Sequence, residues 1–97
     1  MRELIIDGKA MTSEKSMYIH LSRVFSFPTY FGNNLDALWD ALTEESEPTV
    51  IYFKNVTQMT ENLDRYGEKL IQLFQKLEQT TNNYKVHFYP EEMIEEE

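Results

Sequence analysis

Asp36 and Asp40 are the two residues of this sequence whose chemical type and spacing best indicate a site. They lie four positions apart within the run from Asn34 to Thr43, and no lysine or arginine occurs between Val24 and Phe53. Four residues make about one helical turn, so both carboxylates would lie on one side of a helix. Such a pair could act as a catalytic acid and base, bind a cation, or meet a positively charged partner.

A catalytic or metal-binding role for this pair lacks supporting residues. Acid–base catalysis needs further groups in set positions, but His20 and His87 belong to no recognisable motif. Calcium loops place their oxygen ligands at alternating positions of a turn, whereas this run has helical periodicity. We therefore expect no catalytic residue, no metal site and no cofactor. An acid–base hydrolase that uses the two aspartates is kept as an alternative.

Composition favours one small domain that acts inside the cell. The 97 residues include no cysteine and are 41% hydrophobic, which excludes a disulfide scaffold and disfavours disorder. The net charge is −8, but five acids lie in residues 91–97, and the other 12 acids and 9 bases leave residues 1–90 at −3. No apolar run has the length of a signal peptide core or a membrane span.

These numbers set expectations for boundaries and partners. Residues 1–90 should form a single cytoplasmic domain, and residues 91–97 an acidic C-terminal tail that is disordered. The clustered carboxylates would repel nucleic acid, so a nucleic-acid partner is not expected, and neither is a membrane. A basic protein surface is the natural complement of this charge.

Hydrophobic periodicity predicts strands alternating with helices. Strands are predicted at residues 3–6, 50–53 and 85–89, and helices at 13–25, 34–43 and 62–79. Residues 55–60 are predicted to be a polar connector with room for one short helical turn. Long helical connections imply parallel strands. The expected fold is α/β, with a small three-stranded parallel sheet packed against three to four helices. The uninterrupted apolar run of the second strand predicts cover on both of its faces.

The loop before the second helix and the helix itself would position the carboxylates. Pro28 and Gly32 flank Tyr30 and Phe31, and we expect one of these aromatic side chains to be buried and the other presented. In the helix, core spacing predicts one buried stripe, and four-residue spacing predicts an exposed acidic ridge beside it. The buried stripe is Leu35, Leu38, Trp39 and Leu42, and the acidic ridge is Asp36, Asp40 and Glu44.

Residues 27–43 resemble the signature of the barstar family of ribonuclease inhibitors. The positions that fit are Pro28, Tyr30, Gly32, the run from Asn34 to Asp40, and Leu42-Thr43. The resemblance continues over nearly the whole chain, up to Tyr89, and implies a barstar-like sheet with helices. It also implies that the protein is no enzyme but a one-to-one intracellular inhibitor of a basic, secreted, guanyl-preferring ribonuclease of the barnase type.

The resemblance further implies which residues meet the enzyme. By motif position, Asp40 would occupy the pocket for the substrate phosphate, Asp36 would be a second anionic contact, and Tyr30 would pack against the catalytic region. The predicted partner-binding residues are Tyr30, Phe31, Asn34, Leu35, Asp36, Trp39, Asp40, Thr43, Glu44 and Glu45.

Two pairs of positions depart from the family pattern. Glu44-Glu45 stand where the best-known member has Gly-Trp, and Lys76 and Thr80 stand where that member has acidic residues on the last helix. Negative charge has therefore moved from the last helix to the end of the second. Spacing alone predicts that Lys76 is simply solvated. The departures leave open a nuclease toxin domain, or another basic protein, as the partner.

Overall fold

A computed structural model describes residues 1–28 and 32–92 of the chain. Its elements are β1 (Arg2–Asp7), a 3-10 turn (Gly8–Ala10), α1 (Glu14–Phe25), α2 (Leu35–Thr43), β2 (Thr49–Lys54), α3 (Val56–Leu63), α4 (Arg65–Thr80) and β3 (Tyr84–Phe88). Both strand pairings are parallel, and the order across the sheet is β1-β2-β3. The predicted α/β fold is confirmed.

The core lies between the helices and one face of the sheet. β2 is the central strand, where Phe53 pairs with Ile6 of β1 and Ile51 pairs with Val86 of β3. These four side chains are buried, and Phe74 of α4 packs edge-on against Phe53 with 5.8 Å between ring centroids. Helices and sheet therefore share one apolar interior, as a two-layer domain requires.

The other face of the sheet is only partly covered, which corrects the expectation for β2. Burial alternates along this strand: Ile51 and Phe53 are buried, whereas Tyr52 between them is only half-buried. Ile5, next to Tyr52 in the sheet, is 48% exposed. Tyr52 stacks on the exposed His87 with 5.5 Å between ring centroids. This cross-strand stacking shields an apolar strand that has no second helical layer among the described residues.

The polar connector predicted after β2, with one short helical turn, is the longer, two-turn helix α3, so the helices number four, the upper end of the predicted three to four. Sequence pattern underestimated the length of α3 because only Met59 in it is fully buried. The chain then turns sharply at Asp64 (φ 52°, ψ −123°) into α4. No helix in the described residues is long and apolar enough to cross a membrane.

The C-terminal segment supplies the missing cap of α3. No side chain caps this helix, and Asn55 before it is in the left-handed conformation (φ 57°). The N–H groups of Asn55, Val56 and Thr57 donate to the carbonyls of residues 91, 89 and 90, respectively. Lys54 and Asn55 also donate to the Glu92 carboxylate. The chain is thus anchored through residue 92, and most of the predicted tail, residues 93–97, lies outside the described residues.

Candidate functional site

The helix that carries the two aspartates begins at a hydrogen-bonded cap. Asn34 has extended backbone angles (φ −150°, ψ 167°), and its side-chain oxygen accepts the N–H of Ala37 at 2.7 Å. An N-terminal turn otherwise leaves such N–H groups without partners. The cap fixes where α2 starts and therefore the direction in which Asp36, in the first turn, points.

Contacts from the start of β3 hold the other end of α2. The Tyr84 hydroxyl donates to the carbonyl of Leu42 at 2.7 Å, and the Asn83 amide donates to the carbonyl of Glu45 at 2.9 Å. Burial raises the pKa of Tyr84 to about 12, so its hydroxyl stays protonated as a donor. An isolated helix of nine residues would be marginal in water. These contacts therefore keep the carboxylates of α2 in fixed positions.

The apolar stripe of α2 is buried only in part. Leu38 and Leu42 are fully buried, but Leu35 and Trp39 are half-buried, which corrects the prediction that Trp39 is a core residue. Trp39 lies at the seam between α2 and α4, where Lys76 Nζ is 5.3 Å from the centroid of its ring. This is cation–π distance, so Lys76 covers the indole instead of being simply solvated.

The acidic ridge of α2, formed by Asp36, Asp40 and Glu44, is exposed as predicted. Within residues 1–28 and 32–92, none of its three carboxylates takes part in a hydrogen bond or an ion pair; the ion pairs there all involve Glu92. Like charges one helical turn apart destabilise a helix by about 0.2–0.5 kcal/mol. The ridge is therefore a concentrated negative charge that no described residue neutralises by direct contact.

The acidic ridge separates two grooves. The first, which we call the tryptophan groove, has a volume of about 300 Å³ and lies between α2 and α4. Its lining residues are Leu35, Asp36, Trp39, Gln72, Leu73 and Lys76. A carboxylate, an indole and an ammonium group thus line one concave surface.

The second groove, which we call the loop groove, lies on the other side of α2. Its volume is about 510 Å³, and Asp40 and Glu44 line it opposite the aromatic side chains of Phe25 and Phe27. Arg2 also lines it, although its Nε donates to the hydroxyl of Thr49 at 3.2 Å. The two aspartates that look equivalent in the sequence therefore border different surfaces.

Sequence reasoning missed the contributions of distant segments to these grooves. Gln72, Leu73 and Lys76 flank the buried α4 stripe, so their spacing places them beside a neighbouring helix. Spacing does not say which helix that is. No sequence pattern indicated that Arg2 lines the loop groove, because its position there follows from the pairing of β1 with β2.

The remaining residues that were predicted to contact a partner or shape the loop agree with the prediction only in part. Tyr30 and Phe31 lie outside the described residues. Thr43 is exposed, but its hydroxyl donates to the carbonyl of Trp39 at 2.8 Å. Glu45 is exposed and borders the loop groove. Gly32, expected to shape the loop, has no positive φ, and an added Cβ would meet Ala37 Cβ at an ordinary 3.7 Å.

The two histidines lie away from the acidic ridge. His20 Nε2 accepts the backbone N–H of Asp7 at 2.9 Å, and burial lowers the pKa of His20, so its ring is held neutral. His87 packs on Tyr52. Neither ring lines the tryptophan groove or the loop groove. Within the described part of the chain, no three His, Cys, Asp or Glu residues cluster as a metal site would require.

Comparison with known proteins points to one family. The family model described as "Barstar (barnase inhibitor)" matches residues 1–91. The Bacillus subtilis (strain 168) protein named "Putative ribonuclease inhibitor YrdF" is 32% identical over 88 residues, which cover 89% of this chain and 97% of that protein. The similarity thus extends over the whole sheet, the four helices and both grooves.

Proposed function

The chain belongs to the barstar family, and from that premise we propose that it inhibits a barnase-type ribonuclease by covering the enzyme's basic active site with the acidic ridge. Members of the family are inhibitors and not enzymes. The observation that carries the proposal is the ridge itself, whose exposed carboxylates have no partner among the described residues. A surface of this kind fits a positively charged protein cleft.

Asp40 is the residue we assign to the phosphate pocket of the enzyme. A ribonuclease must bind the phosphates of its substrate with cationic side chains, and a carboxylate accepts the same charge-assisted hydrogen bonds from Arg and Lys. Asp40 borders the loop groove, and its carboxylate makes no hydrogen bond with any residue in the ranges 1–28 and 32–92. Asp36 would then contact a second cationic group at the other side of the ridge.

The rigidity of α2 supports tight binding at this surface. Ordering flexible side chains and loops on association costs about 0.5–1.5 kcal/mol per immobilised side chain. Here Asn34 caps one end of the helix and Tyr84 holds the other. The ridge would therefore meet the enzyme with little reorganisation. One ridge per molecule implies a one-to-one complex.

We also propose that the protein acts in the cytoplasm. An inhibitor of a secreted ribonuclease is needed where the enzyme is made, because the enzyme would otherwise cleave the RNA of the producing cell. The chain has no cysteine, which suits a reducing compartment.

Titration of a barnase-type ribonuclease with the purified protein tests the proposal. Cleavage of a fluorogenic RNA substrate should fall linearly and stop at one equivalent of inhibitor. Asp40→Asn should weaken inhibition, whereas Glu61→Gln removes the same charge from an exposed position of α3 and should not. If micromolar protein leaves every such enzyme fully active, the proposed inhibition is wrong.

A nuclease toxin domain is a second candidate partner. It is favoured by the charges around the ridge, because Glu44 and Glu45 extend the acidic surface and Lys76 interrupts it on α4. The same titration with the nuclease domain of such toxins separates the candidates. Protection against a toxin domain, combined with no effect on barnase-type enzymes, would select the second one.

A further inference from the structure

Lys76 is a positive charge at the edge of a surface built to bind positive charge. It is exposed on α4, and its Nζ lies 5.3 Å from the ring centroid of Trp39. Asp36 lines the same groove, yet the two do not come within ion-pair distance. The Lys76 ammonium makes no hydrogen bond or ion pair within residues 1–28 and 32–92. Its N–H donors on the side away from the Trp39 ring are therefore available to an acceptor from outside.

The indole restricts where that ammonium group can point. One side of the ammonium faces the negative face of the Trp39 ring, an attraction of about 0.5–1 kcal/mol at exposed sites. The Lys76 side chain is thus less free than an ordinary surface lysine, whose four-carbon stem samples many rotamers. A positioned cation beside a carboxylate and an indole makes a recognition surface with two signs of charge.

We propose that Lys76 is a specificity-determining residue that binds a carboxylate of the partner ribonuclease, at the border of the basic surface that meets Asp36 and Asp40. This inference rests on the proposed function and names a property of the partner. A uniformly basic enzyme would bring its own cations against Lys76, and like charges in close contact are unfavourable. If the enzyme has an aspartate or glutamate opposite Lys76, the two side chains form an ion pair and the repulsion is absent.

The tryptophan groove gives this proposal its geometry. Asp36, Trp39 and Lys76 line one concave surface, and the Lys76 ammonium lies over the Trp39 ring. A partner surface with an Arg or Lys next to an Asp or Glu could match both charges at once. A ribonuclease that lacks the acidic residue would match only Asp36. Lys76 therefore selects among enzymes that all satisfy the acidic ridge.

Carbodiimide cross-linking of the inhibitor–ribonuclease complex tests the contact directly. This reagent joins an amine to a carboxylate only where the two touch, and mass spectrometry of the peptides identifies the pair. We expect an isopeptide bond between Lys76 and an Asp or Glu of the enzyme. Lys85, exposed on the other face of the sheet, is the control and should not be linked to the enzyme.

Dissociation constants of four variants test the role of the charge. Lys76→Met keeps the apolar cover of Trp39, Lys76→Arg keeps the charge, and Lys76→Glu reverses it; Lys85→Glu makes the same charge change at the control position. We expect Lys76→Glu to weaken binding at least tenfold more than Lys85→Glu. Lys76→Met should fall between wild type and Lys76→Glu, and Lys76→Arg should bind like wild type.

The outcomes separate this inference from the proposed function. The inference is wrong if the protein inhibits the ribonuclease, no cross-link forms at Lys76, and Lys76→Glu binds as tightly as Lys85→Glu. That result would not affect the proposed function. Wild-type affinity for Lys76→Met means that Lys76 only shields the indole and also overturns the inference. If neither the wild type nor any variant inhibits a ribonuclease, the proposed function fails and the inference fails with it.

Discussion

Asp36 and Asp40 lie one turn apart on α2, yet Asp36 lines the tryptophan groove and Asp40 lines the loop groove. Neither carboxylate makes a hydrogen bond or an ion pair with a described residue. The two charges are thus not duplicates, since each presents a different surface to a partner. Their mutual repulsion one turn apart also opposes the stability of the helix that carries them.

Neutralising Asp40 should have opposite effects on stability and on binding. Asp40→Asn removes repulsion from Asp36 and from Glu44, two pairs at about 0.2–0.5 kcal/mol each, so the free energy of unfolding should rise by about 0.4–1 kcal/mol. The same change should raise the dissociation constant of the ribonuclease complex more than tenfold, about 1.4 kcal/mol. Urea denaturation and binding calorimetry measure the two quantities. Clear destabilisation of the free protein would show that Asp40 has a structural role.

Salt should slow the association of inhibitor and enzyme. Raising ionic strength from about 0.1 M to about 1 M shortens the Debye length from about 10 Å to about 3 Å, which screens attraction between separated charges. The association rate constant, measured by stopped-flow fluorescence, should therefore fall while the dissociation rate changes less. The double variant Asp36→Asn/Asp40→Asn should show a weaker salt dependence. If the association rate constants of the wild type and the double variant depend equally on ionic strength, these carboxylates do not steer the association.

Two glycines provide a matched test of backbone packing. A Cβ on Gly8 would lie 2.0 Å from the carbonyl oxygen of Asn55, so Gly8→Ala should destabilise the protein by about 1–3 kcal/mol or more. Among the described residues, a Cβ on Gly32 would meet no atom closer than 3.7 Å, so Gly32→Ala should change the free energy of unfolding by less than about 0.5 kcal/mol. Thermal unfolding of both variants checks the pair. Equal melting temperatures would contradict the close approach at Gly8.

Acid should weaken the fold first through His20. Burial lowers the folded-state pKa of His20, with Arg23 adding to this and Asp7 opposing it. The unfolded chain therefore takes up the proton near pH 6.5, before the folded chain does. The contribution of His20 to stability is complete above that pH and is lost as the pH falls toward its folded pKa. Denaturation at a series of pH values should show this decline.

His20→Gln is the control for the acid effect. A glutamine oxygen can still accept the Asp7 N–H but does not titrate, so stability should become flat just below pH 6.5. A later decline should remain, below about pH 4.5, from Glu92 and Asp7, because the folded-state pKa of each carboxyl lies below its ordinary value. Burial raises the pKa of Asp7, but hydrogen bonds from Asn55 and Lys9 and the charge of Lys54 outweigh it. An unchanged profile in His20→Gln would exclude His20 as the first titrating group.

The C-terminal boundary of the domain can be located by truncation. A chain ending after Phe88 loses the three carbonyls that accept from the N-terminus of α3, and each buried N–H left without a partner costs about 1–3 kcal/mol. A chain ending after Glu92 keeps these bonds and the ion pair with Lys54, so it should be as stable as the full chain. If the chain ending after Glu92 is less stable than the full chain, residues 93–97 contribute to the stability of the fold.

Much of the fold followed from local pattern. The strands β1 and β2 were predicted because they are short apolar runs, and α1 because its apolar residues recur with helical periodicity behind Ser13, a good helix cap. The helix α3 was predicted as no more than one short turn, because it buries only one residue fully and is capped by a segment more than thirty positions away. Trp39 was predicted to be a core residue because its spacing along α2 matches that of the buried leucines. Its indole is only half-buried, because α4 beside it does not cover it fully.

The sequence by itself determined the acidic ridge and the family, since both depend on residue type at fixed spacing along one helix. Only the tertiary structure decided what lies on either side of that ridge. Packing of α4 against α2 placed Lys76 over Trp39 and beside Asp36, and strand pairing brought Arg2 into the loop groove with Asp40. Local periodicity reports which face of a helix is apolar. It carries no information about which distant segment will cover that face, and that choice fixed the charges around the site.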